Sequence, residues 1–107
     1  MHKATKACSI PKEVKIRVYE RDKGLCIICG CAGLPEAHYI SRAHLGLGIE
    51  ENIVTLCRSC HRLYDGVKRK EYGEIIRNYL KELYPEWDEK KLIYQKGGHY
   101  EVQGRTD

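Results

Sequence analysis

The chain has no phenylalanine, one tryptophan, one methionine and three prolines among its 107 residues. Its mean hydropathy is -0.56. A single domain is expected at this length, with a core modest enough that a structural metal would add useful stability. No apolar run approaches the roughly 18 residues that span a bilayer, which argues against a membrane protein. The opening MHKATKACSI has no apolar segment of the kind secretory signals carry. A reducing cytoplasm is therefore the expected compartment. Six cysteines in such a setting favour metal ligation over disulfides. Internal repeats and low-complexity tracts are also missing.

What is present leans basic. The formal net charge is +4, a mild bias toward polyanionic partners that many unrelated proteins share. Its distribution says more. Lys3, Lys6, Lys12, Lys15 and Arg17 crowd the start, Arg58 and Arg62 flank a Cys-x-x-Cys, and Lys68, Arg69 and Lys70 follow it.

Local patterns predict an α+β chain. Residues 1–8 read as a loose basic arm. Ser9 can cap a helix with Pro11 in its first turn and Val14 and Val18 one turn apart, running to Asp22 before Lys23-Gly24 stops it. LCIICGCAGLP reads as a metal knuckle and turn. EAHYIS, residues 36–41, suits a short strand, AHLGLGIEE a loop, and NIVTLC a returning strand with its β-branched run. Residues 58–65 read as a short helix ended by Gly66. Tyr72, Ile75, Ile76, Tyr79, Leu80 and Leu83 then recur at helical spacing from about Lys68 to Leu83, with Tyr72 and Tyr79 as packing residues. Pro85 ends that helix, Asp88 can cap a last short turn to Leu92, and residues 96–107 read as a mobile tail.

Cys26-x-x-Cys29 and Cys57-x-x-Cys60 are two ligand pairs separated by 27 residues. Four thiolates from two knuckles form a closed tetrahedral site, which suits a structural zinc ion and leaves no open position for catalysis. Cys31 offers a third sulfur in the first knuckle but reads as a spectator, and Cys8 as a small buried side chain. An iron–sulfur cluster or a redox dithiol is a minor alternative.

The histidines suggest a second metal. His61 and Asp65 stand one helical turn apart and can grip one ion. Two such ligands leave positions open, as suits a catalytic divalent cation that also holds water and a phosphate oxygen. His38, on the strand facing that helix, is a candidate general base. Each of these residues also has a plain reading: a spare zinc ligand, a turn asparagine at Asn52, a helix-ending Asp-Gly.

EAHYISR followed by GLGIEENIVTLCRSCH resembles the signature of the HNH endonucleases, the ββα-metal fold, and most of all their small zinc-bearing phage-type members. The likeness extends over about residues 8 to 95, with its specific part between Cys26 and Gly66. It implies a zinc-stabilised ββα-metal domain over residues 9–95 with flanking helices at both ends. It also implies hydrolysis of a DNA phosphodiester with one metal, as an endonuclease or nickase. His38 would be the base that activates water, and Asn52 would hold the loop and orient it. His61 and Asp65 would bind Mg²⁺ or Mn²⁺, stabilising charge on the leaving 3′ oxygen. Many members carry an Asp or His directly before the base, where this chain has Ala37. Either Glu36 or water fills that place, or His38 is itself a ligand and Tyr39 or His44 takes the proton.

Arg42, His44, Arg58, Arg62, Lys68 and Arg69 are the expected DNA contacts, binding phosphates without reading sequence. The resemblance further implies a bacterial cytoplasm (phage- or prophage-encoded) and viral terminase subunits as partners. The competing expectation is a non-catalytic zinc module that binds nucleic acid or protein.

Overall fold

The computed structural model describes residues 3–95, so the expected tail, with His99, and His2 lie outside the described residues. Within them the fold is α+β. Lys3–Cys8 forms a short helix, α1, where composition predicts a loose arm. Contacts that composition cannot show dock it. Cys8 is buried, the Ser9 amide bonds the Thr5 carbonyl, and the Gly48 amide bonds the Ala7 carbonyl. A Cβ on Gly48 would stand 2.0 Å from the Ser9 carbonyl oxygen, so only glycine permits this approach.

Ser9 consequently finishes α1 and does not cap the next helix, α2 (Lys12–Arg21), whose N-cap position is taken by Pro11. Val14 and Val18 of α2 pack on Ile53, with Ile10 against them. The helix stops as expected. Lys23 and Gly24 both adopt left-handed backbone, and the Gly24 amide closes on the Tyr19 carbonyl at 2.8 Å.

The sheet is one antiparallel pair, β1 (Leu34–His38) and β2 (Ile53–Leu56), with Ala37 opposite Val54 and His38 opposite Ile53. The register slips between Leu34 and Ala37. β1 thus starts and ends earlier than the expected 36–41, because the chain beyond His38 turns away into the loop. Every residue of β2 is buried. Ile53 faces α2, while Val54 and Leu56 face the main core, which explains why this strand reads as an unbroken β-branched run.

α3 (Arg58–Tyr64) follows β2 directly, and α4 (Arg69–Leu83) packs beside it. Ala37, Val54, Leu56, Tyr64, Ile76 and Leu80 form the core together with Cys26 and Cys60. Tyr72 and Tyr79 of the expected α4 stripe pack partly buried against it, as does Trp87 beyond the helix, while Ile75 and Leu83 at the margins of that stripe are exposed. A 3₁₀ turn at Glu89–Leu92 completes the described chain, with the Asp88 carboxylate capping the Lys90 amide. Among the described residues no helix is long and apolar enough to cross a membrane.

One buried polar link was not legible in the pattern. The Asp22 side chain is fully buried, and its carboxylate accepts from Arg21 Nε at 2.8 Å, the Thr55 amide at 2.9 Å and the Tyr79 hydroxyl. Arg21 also donates to the carbonyls of Glu50 and Ile53. The pair ties the end of α2 to β2 and α4. Removing one member of a buried pair strands the other charge, so Asp22→Ala should cost about 3–5 kcal/mol. In a thermal melt that appears as a fall in Tm of more than about 10 °C. A shift within a degree or two would show that the pair contributes little.

Candidate functional site

The first knuckle folds back on itself: the Cys26 amide bonds the Cys31 carbonyl at 2.6 Å, and the Gly30 amide the Cys26 carbonyl at 2.9 Å. The Ile27 amide bonds the Thr55 carbonyl, which fixes the knuckle against β2. Cys57 is the N-cap of α3, and its sulfur accepts the Cys60 amide at 3.4 Å. The result is a tetrad of Cys26, Cys29, Cys57 and Cys60 whose sulfurs all lie within 4.8 Å of one another. Cys29 and Cys57 approach to 3.6 Å. A tetrahedral ion with sulfur bonds of about 2.3 Å needs ligands about 3.8 Å apart, so the four fit one metal ion. Cys31 is exposed and lies outside the tetrad; Cys8 is buried elsewhere.

The thiols differ in readiness to ionise. Burial opposes charge on Cys26, but N–H groups of Cys29, Cys57 and Ile28 outweigh it and bring its pKa down to about 7. Burial, joined by hydrogen bonds with the neighbouring thiols, pushes Cys60 up. Such a set shares protons until a cation replaces them.

A separate open cleft of about 570 Å³ lies between the α1–α2 junction, β1 and α3. His38, His61 and Asp65 line it with Glu36, Lys15, Arg42 and Arg69. Alternation along β1 explains the strand's share: Glu36 and His38 face outward while Ala37 is fully buried in the core. A carboxylate at position 37 would face the core and not the cleft. Glu36 pairs at 3.7 Å with Lys15 across the cleft.

His38 is half-buried, and its Nε2 lies 2.8 Å from the Cys8 carbonyl oxygen. Only an N–H can bond a carbonyl, so Nε2 carries the proton and Nδ1 keeps its lone pair. Burial holds the imidazole pKa below its usual value. The Cys8 bond acts against this, and the charges of Arg42 and His61 add to it. His61 Nε2 and Asp65 Oδ2 stand 3.9 Å apart on consecutive turns. Two bonds of about 2.1 Å can bridge atoms up to about 4.2 Å apart, so this pair can hold one cation with its other positions open.

No protein-family model matches the chain, and no curated protein matches it.

Asn52 is fully buried and does not line the cleft. Its Oδ1 accepts the Ile40 amide at 2.8 Å, and its Nδ2 donates to the carbonyls of Ile40 and Leu47. It clips the loop that leaves His38, which packs so tightly that a Cβ on Gly46 would overlap the Ile40 carbonyl oxygen at 1.7 Å. Asn52→Ala leaves these backbone groups buried and unpaired, at an expected cost of about 2–4 kcal/mol. Denaturant titration measures it, and a change below about 0.5 kcal/mol would mean that the loop holds itself.

The other expected residues separate. Arg42 and Arg69 are in the cleft; Arg58 and Arg62 are exposed on α3, and Lys68 pairs with Glu71 at 3.1 Å, none of the three lining it. Tyr39 turns away, its ring tilted against Trp87 and its hydroxyl on Glu89, and His44 Nδ1 meets Ser41 Oγ at 2.8 Å in a neighbouring groove. Lys15 and the Cys8 carbonyl were not anticipated as site groups. Lys15 was visible only as one of several N-terminal cations, and a backbone carbonyl leaves no trace in sequence.

Proposed function

We propose that the protein is a metal-dependent DNA endonuclease or nickase of the HNH, or ββα-metal, type, stabilised by a zinc ion on Cys26, Cys29, Cys57 and Cys60. The observation that carries this reading is the meeting of His38, His61 and Asp65 in one open cleft, separate from the cysteine tetrad and bordered by Lys15, Arg42 and Arg69. His61 and Asp65 would hold Mg²⁺ or Mn²⁺, which supplies Lewis-acid stabilisation of charge developing on the phosphate and leaving oxygen. His38 acts as general base through Nδ1, taking the proton of the attacking water, because Nε2 is committed to the Cys8 carbonyl. Asn52 is a positioning residue that fixes the loop after the base. Lys15, Arg42 and Arg69 attract and orient the phosphate backbone.

The direct test is incubation of supercoiled plasmid with the protein across a panel of divalent cations. Nicked or linear product is expected with Mg²⁺ or Mn²⁺; intact plasmid with every metal would remove the proposal.

A specific observation favours a second reading, a zinc module that binds nucleic acid without cutting it. Among the described residues, only the tetrad brings three or more ligand atoms close enough together to share one ion, so the cleft would hold a metal by the His61–Asp65 pair alone. That reading expects one tightly held metal per chain and unchanged DNA affinity in His61→Ala. By resemblance alone, the cutting activity would serve viral DNA processing beside a terminase, and a pull-down with terminase subunits tests it.

A further inference from the structure

The cleft does not stand alone. A second groove of about 560 Å³ adjoins it, and the two share Ser41 and Arg69 as common walls. Its far side is built from α4 and the 3₁₀ turn at Glu89–Leu92, with Lys70, Gly73, Glu74, Arg77 and Glu89 contributing. Arg69 therefore sits on the divide between two lobes of one trench.

That arginine is held in place. Its guanidinium lies 4.1 Å from the Tyr64 ring centroid, and one nitrogen donates to the Tyr39 carbonyl at 3.0 Å. An arginine fixed by a ring face and a carbonyl still has donors to offer and loses little freedom on meeting a phosphate. The two lobes differ in chemistry. The first holds His38, His61 and Asp65. The second mixes cations with acceptors: Arg77 Nε bonds Glu89 at 3.2 Å, the same carboxylate accepts the Tyr39 hydroxyl at 2.8 Å, and Ser41 and His44 form a hydroxyl–imidazole pair. Such a mixed lining suits the sugar and base of a nucleotide, with Lys70 available for its next phosphate.

We infer that the second lobe receives the nucleotide adjoining the scissile phosphate on one side, so that the substrate strand crosses Arg69 and is gripped asymmetrically. This rests on the nuclease reading above. It predicts that flanking nucleotides on one side of the cut strengthen the substrate far more than those on the other.

The experiment uses two oligonucleotide series, extended one nucleotide at a time on the 5′ or the 3′ side of a fixed cleavage site. Cleavage kinetics and, separately, fluorescence anisotropy with Ca²⁺ in place of Mg²⁺ are followed for the full chain. KM should fall with extension on one side only. Lys70→Glu should abolish most of that gain, raising KM about tenfold for the extended series and lowering the slope of log affinity against log salt by about 1. Lys81→Glu, the same charge change on the last turn of α4, should have no such effect. Equal benefit from both flanks, or equal effects of the two lysine variants, would overturn the inference. Asymmetric, Lys70-dependent binding without cleavage would support the second lobe while removing the nuclease reading. Neither binding nor cleavage would remove both.

Discussion

On the nuclease reading proposed above, His38→Ala should slow plasmid nicking by about 10²- to 10⁴-fold, the usual contribution of a positioned general base. Zinc content and DNA affinity should stay near those of the parent protein, since His38 belongs to neither the tetrad nor the cationic border. The position of the imidazole is what makes the effect large. Its Nε2 is anchored on the Cys8 carbonyl at 2.8 Å, which leaves Nδ1 as the one nitrogen able to take a proton. The pH profile offers a second check. Burial lowers the His38 pKa, so the free base forms below the ordinary histidine value near 6.5. The rate should therefore rise with pH through a limb centred below about 6.5 and then level off. The same shift affects stability. Below about pH 6.5 the unfolded chain binds a proton that folded His38 resists, so this residue's contribution to stability falls as pH drops through that window. Retained nicking in His38→Ala, with the parental pH profile, would transfer the base role to another group.

With a zinc ion on the cysteine tetrad, as proposed, its removal should unfold the protein. Structural zinc contributes on the order of 10–16 kcal/mol in small zinc-dependent folds, as much as the whole stability of an ordinary domain of roughly 5–15 kcal/mol. Here the tetrad joins the knuckle after α2 to the first turn of α3, and Cys26 and Cys60 belong to the main core. Without the ion, four thiols within 4.8 Å would have to satisfy one another in a core too small to compensate. Excess chelator, or Cys60→Ala, should eliminate the helical far-UV signal at 25 °C, and added Zn²⁺ should restore it only in the chelated parent. One metal per chain should survive dialysis of the parent, and His61→Ala should leave that count unchanged. A chelated protein with an unchanged melt would show that the tetrad holds no structural ion.

These two effects arise in parts of the molecule that differed in how legible they were. The tetrad could be read from spacing alone, because a Cys-x-x-Cys turns both sulfurs to one side and needs only a partner knuckle. The stripe of α4 and the ends of α2 and α4 follow equally local rules: apolar residues every three or four positions, and Gly24 and Pro85 as stops. The His61–Asp65 pair was legible because one helical turn fixes the distance between them. α1 was not. Its residues look like a solvated arm, and contacts from distant parts of the chain, among them the burial of Cys8, the Gly48 amide on Ala7 and His38 on the Cys8 carbonyl, dock them as a helix.

Chain chemistry by itself determined which residues could bind metals and which short elements carry them, since those properties depend on neighbours within a turn or a strand. Tertiary structure decided which of them share a space. It put the Cys8 carbonyl on His38, turned Tyr39 and His44 into another groove, aimed Glu36 outward where Ala37 is buried, and buried Arg21 against Asp22. The physical reason is range: a hydrogen bond or an ion pair acts over a few ångströms in space, and partners such as Arg21 and Tyr84 stand 63 residues apart along the chain.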